Sequence, residues 1–167
     1  MKLNPSANFP TPEPDPGAEP SLELERFLPY RLSVLTNRIS TAIARVYVRR
    51  FALTVPEWRV MAVLGRFGPM SANGVCERTA MDKVRVSRAV ARLTAAGRLE
   101  RRTDVADRRR ALLELTARGR AVYDEIGPLA LAVEARLLAQ LSTADRADLD
   151  RLLPKLEAVA ATSFAEG

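Results

Sequence analysis

A mainly α-helical chain with one small β-hairpin is what this sequence predicts, and three observations carry that prediction. Apolar residues recur at helical spacing over most of the chain. Capping residues divide this periodicity into six segments. One short stretch carries strand alternation instead, Leu113-Glu114-Leu115 behind a polar loop. The apolar residues are mostly Ala, Leu and Val, of which Ala and Leu are strong helix formers. The 167 residues, 47% hydrophobic and 28% charged, suit one domain, or one domain with an appended dimerisation arm.

Residues 1–21 contain six prolines (Pro5, Pro10, Pro12, Pro14, Pro16 and Pro20) and are expected to form a disordered or polyproline-like tail. A long helix is predicted over Glu23–Phe51. Leu28, Leu32, Leu35, Ile39, Ala42 and Val46 form an apolar seam along it, widened by Phe27, Ile43 and Tyr47. Thr54 and Glu57 have capping-box spacing, and Pro56 fits the first turn of a second helix that Gly68-Pro69 stops. Ser71 can cap a short third helix, 72–79. Asp82 can cap a fourth, 83–96, which Gly97 ends. Two short helices meeting at a tight turn near Ala80-Met81 make a helix-turn-helix.

Residues 98–102 and 111–115 read as two short strands. The loop between them includes Asp104 and Asp107, which suit turn formation. Thr116 caps a long helix to about Leu141, with a kink expected at Gly127-Pro128. Ser142 and Asp145 start a last helix with Leu149, Leu152, Leu153, Leu156 and Val159 on one face, which Pro154 can bend. The whole is a winged helix-turn-helix module, 54–116, between an N-terminal dimerisation helix, 22–53, and C-terminal dimerisation helices, 117–167. The apolar faces of the terminal helices call for a second copy to bury them.

Charge points to a partner. The chain carries a net +6, yet residues 78–110 alone hold eleven Lys/Arg and four Asp/Glu, while the remainder is close to neutral. A localised basic patch is the electrostatic footprint of a nucleic-acid binder. Other classes are disfavoured. There is no His, which removes the commonest general acid-base and metal ligand. A single cysteine leaves no zinc site and no intrachain disulfide, and a reducing cytoplasm suits it. No Gly-rich phosphate loop is visible, and no cofactor is expected. No apolar run is long enough for a membrane span, and the first twenty residues lack a secretory signal.

On the fourth helix, Val86, Ala89, Val90 and Leu93 fall on one side of the wheel, and Arg85, Arg88 and Arg92 fall together on another. Arginine is the commonest reader of guanine in the major groove. Lys83 and Ser87 lie beside the row and can reach phosphates or base edges. Arg108, Arg109 and Arg110 on the hairpin loop suit a narrow minor groove. Asp104 and Asp107 are read as shaping that loop.

Asp107-Arg108-Arg109, followed by Leu113, Leu115, Thr116 and Gly119, resembles the wing signature of the MarR family: Asp-x-Arg, alternating apolar residues, then Leu-Thr-x-x-Gly. The run from Ser87-Arg88 through Leu93 to Gly97 resembles that family's recognition helix, and Pro56-Glu57-Trp58-Arg59-Val60 the start of its second helix. One departure is Arg98, where the family usually has an apolar residue; Leu99 is expected to fill that role. The resemblance implies a homodimer on a pseudo-palindromic double-stranded DNA operator, usually a repressor. It also implies release of DNA by a small aromatic acid or phenol, such as a hydroxylated benzoate or nicotinate-like acid. The family's effector crevice maps onto Tyr30, Arg31, Asn37, Arg38, Trp58 and Met61. Rival readings are a sequence-tolerant architectural DNA binder, a redox-sensing regulator using Cys76, and a module whose basic face meets an acidic protein.

Overall fold

The computed structural model describes residues 21–103 and 111–163. Six helices and one hairpin follow in the order α1 (Leu28–Phe51), α2 (Val55–Phe67), α3 (Ala72–Thr79), α4 (Lys83–Ala95), β1 (Leu99–Thr103), β2 (Ala111–Leu115), α5 (Ala117–Leu138) and α6 (Thr143–Ser163). The Pro-rich segment, and with it the tail reading, lies outside the described residues. The chain divides into two units, 1–37 and 38–167.

In the first unit, α1 starts at Leu28, five residues later than the periodicity predicts. The reason is Pro29. A helix from Glu23 would place Pro29 in its interior, where it lacks an N–H and clashes with the preceding turn; a start at Leu28 puts it in the first turn, where neither matters. Residues 23–27 form a turn instead, with the Arg26 and Phe27 N–H groups both donating to the Glu23 carbonyl.

In the second unit, one core gathers Tyr47 and Phe51 from α1, Val60, Met61 and Leu64 from α2, Val75 from α3, four residues of α4, Leu99, Leu113 and Leu115 of the hairpin, and Ile126 of α5. Tyr47 is 1% exposed, and burial pushes its phenol up to about 12, so it stays neutral. The core uses the side of α1 that widens the predicted seam: Tyr47 is buried with Ala44 and Phe51, and Ile43 packs against the core, while Ala42 is exposed and Val46 half-buried.

Local chemistry sets the boundaries. The Thr54 hydroxyl accepts the Glu57 N–H (3.4 Å) while the Glu57 carboxylate accepts the Thr54 N–H (2.7 Å), a complete capping box. Ser71, Asp82 and Thr116 each cap the helix that follows, and such caps contribute about 1 kcal/mol apiece. Between α3 and α4 the chain reverses through Ala80 in the left-handed conformation, φ +51°. Gly97, at φ +64°, ends α4; the Arg98 N–H then reaches back to the Leu93 carbonyl (2.9 Å). That bond commits the Arg98 backbone to the helix end, so β1 begins one residue later than predicted.

The strands pair antiparallel, from Leu99↔Leu115 to Thr103↔Ala111. Glu100 and Glu114 face each other, and Arg102 offsets that repulsion by pairing with Glu114 at 2.6 Å. On its other edge β2 bonds to Met70 in both directions through Leu113, a contact the sequence does not announce. Helix α5 runs without a break through Pro128 and ends three residues before Leu141. Ser142 and Asp145 then cap α6: the Asp145 carboxylate accepts the Ser142 hydroxyl and N–H, which hold it below the usual carboxylate range. No helix among the described residues is long and apolar enough to cross a membrane.

Candidate nucleic-acid interface

The sequence of α4 separates an inward stripe from an outward surface. Val86, Ala89, Val90 and Leu93 are at most 3% exposed and lock the helix onto α2 and α3. Lys83, Arg85, Ser87, Arg88 and Arg92 are all exposed. The three arginines are not equivalent, however. Arg85 pairs with the capping carboxylate of Asp82 (3.3 Å). Arg92 lies 3.7 Å from Glu57, whose side chain is almost fully buried at the start of α2. Arg88, among the described residues, has no carboxylate partner. These differences follow from the wheel. At about 100° per residue, the direction opposite the buried stripe passes close to Arg88, whereas Arg92 and Arg85 lie toward one flank.

Glu57 was legible in the sequence only as a capping residue. Its second contact, with Arg92, spans two helices and is tertiary. One carboxylate therefore caps α2 and faces a guanidinium on α4. An open groove of about 580 Å³ runs here, lined by Thr54, Pro56, Glu57, Arg85, Arg88 and Arg92. The positive side chains make it suited to a polyanion rather than to an apolar ligand.

The base of the hairpin is held from two sides. The Thr116 hydroxyl donates to the Gly97 carbonyl (2.7 Å), and the Thr116 N–H to that of Arg98 (3.2 Å). The Arg98 guanidinium donates to the Phe51 carbonyl (2.6 Å), at the end of α1. This is where the departure from the family pattern is absorbed: Arg98 satisfies a helix C-terminus, and Leu99, 2% exposed, enters the core in its place. The loop residues Asp104, Asp107, Arg108, Arg109 and Arg110 lie outside the described residues.

The six residues assigned to an effector crevice are not all alike. Tyr30, Arg31 and Asn37, in the first unit, are exposed, as is Arg38 in the second. Met61 is fully enclosed in the core, with no surface to offer a ligand in this conformation. Trp58 packs between the rings of Tyr47 and Tyr123, with centroids 5.6 and 6.0 Å away. Periodicity cannot separate a core side chain from a pocket side chain, so both options are open in the sequence for Met61 and Trp58. Cys76 is partly buried on α3 against the core. Among the described residues no cluster of His, Cys, Asp and Glu could hold a metal ion.

A helix-turn-helix whose second helix presents arginines to solvent, followed at once by a β-hairpin, defines the class: a winged helix-turn-helix DNA-binding transcription regulator. A model of the MarR family matches residues 53–110. A helix-turn-helix-type transcriptional repressor of Mycobacterium tuberculosis is 28% identical over 131 residues, covering 78% of this chain and 91% of the relative. A crystal structure of a probable transcriptional regulator from Pseudomonas aeruginosa is 30% identical and superimposes with a TM-score of 0.68 over 80% of this chain and 98% of that one. BpsR of Bordetella bronchiseptica, whose DNA binding is described as regulated by 6-hydroxynicotinic acid, is 27% identical, with a TM-score of 0.71 over 83% and 98%. The chain belongs to the MarR family, and with it to the transcription regulators rather than the enzymes.

Proposed function

We propose that the protein is an effector-responsive repressor that binds a pseudo-palindromic operator as a homodimer. The observation that carries this reading is Arg88, exposed close to the centre of the outward surface of α4 and without a carboxylate partner among the described residues. Each α4 enters one major-groove half-site, with Arg88 bidentate to a guanine and Lys83 and Ser87 on phosphates or base edges. Arg85 and Arg92 line the flank. The hairpin arginines Arg108, Arg109 and Arg110 enter the adjoining minor groove, on a loop shaped by Asp104 and Asp107.

The terminal helices support a dimer. Leu149, Leu152, Leu153, Leu156 and Val159 are 38–58% exposed along α6, and Leu28, Leu32 and Leu35 are exposed on α1. Apolar rows of this length on a single chain mark an association surface. Two copies would set the α4 helices at the spacing of half-sites one turn apart, about 34 Å. The wild type is expected to sediment at twice its 18.4 kDa chain mass. Glutamates at Leu152 and Leu156 together are expected to shift it to the monomer and to cost most of its DNA affinity. A stable dimer in that variant would contradict the assignment.

The effector is a small aromatic acid, read from the likeness to BpsR and from the exposed arginines Arg31 and Arg38 on α1, which can hold a carboxylate. It releases DNA by preferring a dimer whose α4 spacing does not match the operator, and only by that difference in affinity. Saturating 6-hydroxynicotinic acid or a hydroxybenzoate is expected to weaken operator binding about 5- to 150-fold, read by fluorescence anisotropy. Unchanged affinity with a panel of such acids would remove the effector from this account.

A further inference from the structure

We infer that Val84 reads a thymine methyl group in each half-site, one or two base pairs from the guanine contacted by Arg88. The inference rests on the docking reading above and adds a specificity-determining residue to it. Val84 is 57% exposed. Between the start of α2 and the end of β2, the described residues include only one other large exposed apolar side chain, Phe67. Phe67, 53% exposed, lies on α2 away from the arginine row and has the Arg78 guanidinium 3.9 Å from its ring centroid. Val84 lies on α4 itself, between Lys83 and Arg85.

Single exposed apolar residues are ordinary on protein surfaces. The position of this one gives it meaning. On the wheel of α4, Val84 lies within about 10° of the direction opposite the buried stripe, at 100° per residue. It is therefore the most outward-pointing side chain of the first turn, flanked by Lys83, Ser87 and Arg88. A β-branched residue there also lowers helix propensity, so neither packing nor helix formation accounts for it. What an outward apolar group meets in a major groove is the C5-methyl of thymine, the one apolar feature on a base edge there. Arg88 follows four residues later, about 6 Å along the helix axis, against about 3.4 Å per base pair. That ratio sets the predicted separation of thymine and guanine.

The test starts from duplexes selected by the full-length wild-type protein from a random library at physiological salt. Each thymine of the selected half-site is then replaced by uracil, which removes only the methyl group. Wild-type affinity is expected to fall about fourfold at one thymine near the guanine, the contribution of one buried methyl-sized group. In Val84→Ser, thymine and uracil duplexes are expected to bind equally, with the melting temperature of the protein unchanged. A selected site in which uracil is tolerated at every thymine, or a uracil penalty that persists in Val84→Ser, would overturn the inference while leaving the docking reading intact. Selection of no preferred sequence at all would overturn both.

Discussion

Alanine in place of Gly119 is expected to destabilise the protein by about 3 kcal/mol or more, at the upper end of overpacking costs. The same exchange within an ordinary helix is stabilising by about 1 kcal/mol, so the two effects have opposite signs and the experiment separates them. Gly119 lies in the first turn of α5, and its N–H donates to the capping hydroxyl of Thr116 (3.0 Å). A Cβ built there falls 1.9 Å from the carbonyl oxygen of Arg98 and 2.9 Å from its carbon. The obstacle is backbone, not a flexible side chain. That backbone cannot retreat cheaply, because the same carbonyl accepts the Thr116 N–H while the Thr116 hydroxyl holds Gly97 next door. Moving α5 away from the hairpin breaks these bonds. A fall in melting temperature of roughly 6–12 °C is expected for a chain of this size; a melting temperature equal to or above the wild type would show that the approach of α5 to the hairpin is not as close as described. The glycine of the Leu-Thr-x-x-Gly signature thus has a steric cause.

Arg88→Ala is expected to weaken operator binding by about 1–3 kcal/mol and to relax the preference at the base pair it contacts. Stability should be unchanged, since the side chain is exposed and has no ionic partner among the described residues. The neighbouring arginines provide the contrast. Arg92 must be drawn from Glu57, and Arg85 from Asp82, before either meets DNA. Their alanine variants should therefore lose less affinity than Arg88→Ala does. Anisotropy titrations on the selected duplex and on single base-pair variants report both quantities. Wild-type affinity and wild-type base preference in Arg88→Ala would overturn the placement of α4 in the groove.

Those two residues mark what could and could not be read from the sequence. The boundaries of α2, α3 and α4 were legible because Thr54, Ser71, Asp82 and Gly97 act within a few residues of themselves. The division of α4 into buried and exposed sides was legible for the same reason: it needs only the period of a helix. Apolar spacing places the start of α1 too early because it continues through Pro29, and the spacing carries no record of the missing N–H. Contacts between distant segments left no local trace. The pairing of Arg92 with Glu57, the bridge from Met70 to Leu113 and the approach of Gly119 to Arg98 each join residues more than twenty positions apart. The role of Met61 was ambiguous for a related reason, since a core residue and a pocket residue share one periodicity. Val84 gives no signal in the sequence, since one apolar residue among polar ones sets no helical period; its 57% exposure is a feature of the fold.

The central claim is sequence-specific DNA recognition through α4, and a salt-resolved binding titration tests it most directly. The full-length protein would be titrated onto the selected duplex and onto a scrambled duplex of the same composition, at physiological salt and at several concentrations around it. The account predicts at least a thousandfold preference for the selected duplex, with a salt slope shared by both duplexes and set by phosphate contacts. Equal affinity for the two duplexes, collapsing together as salt rises, would contradict it and leave a sequence-tolerant DNA binder in its place.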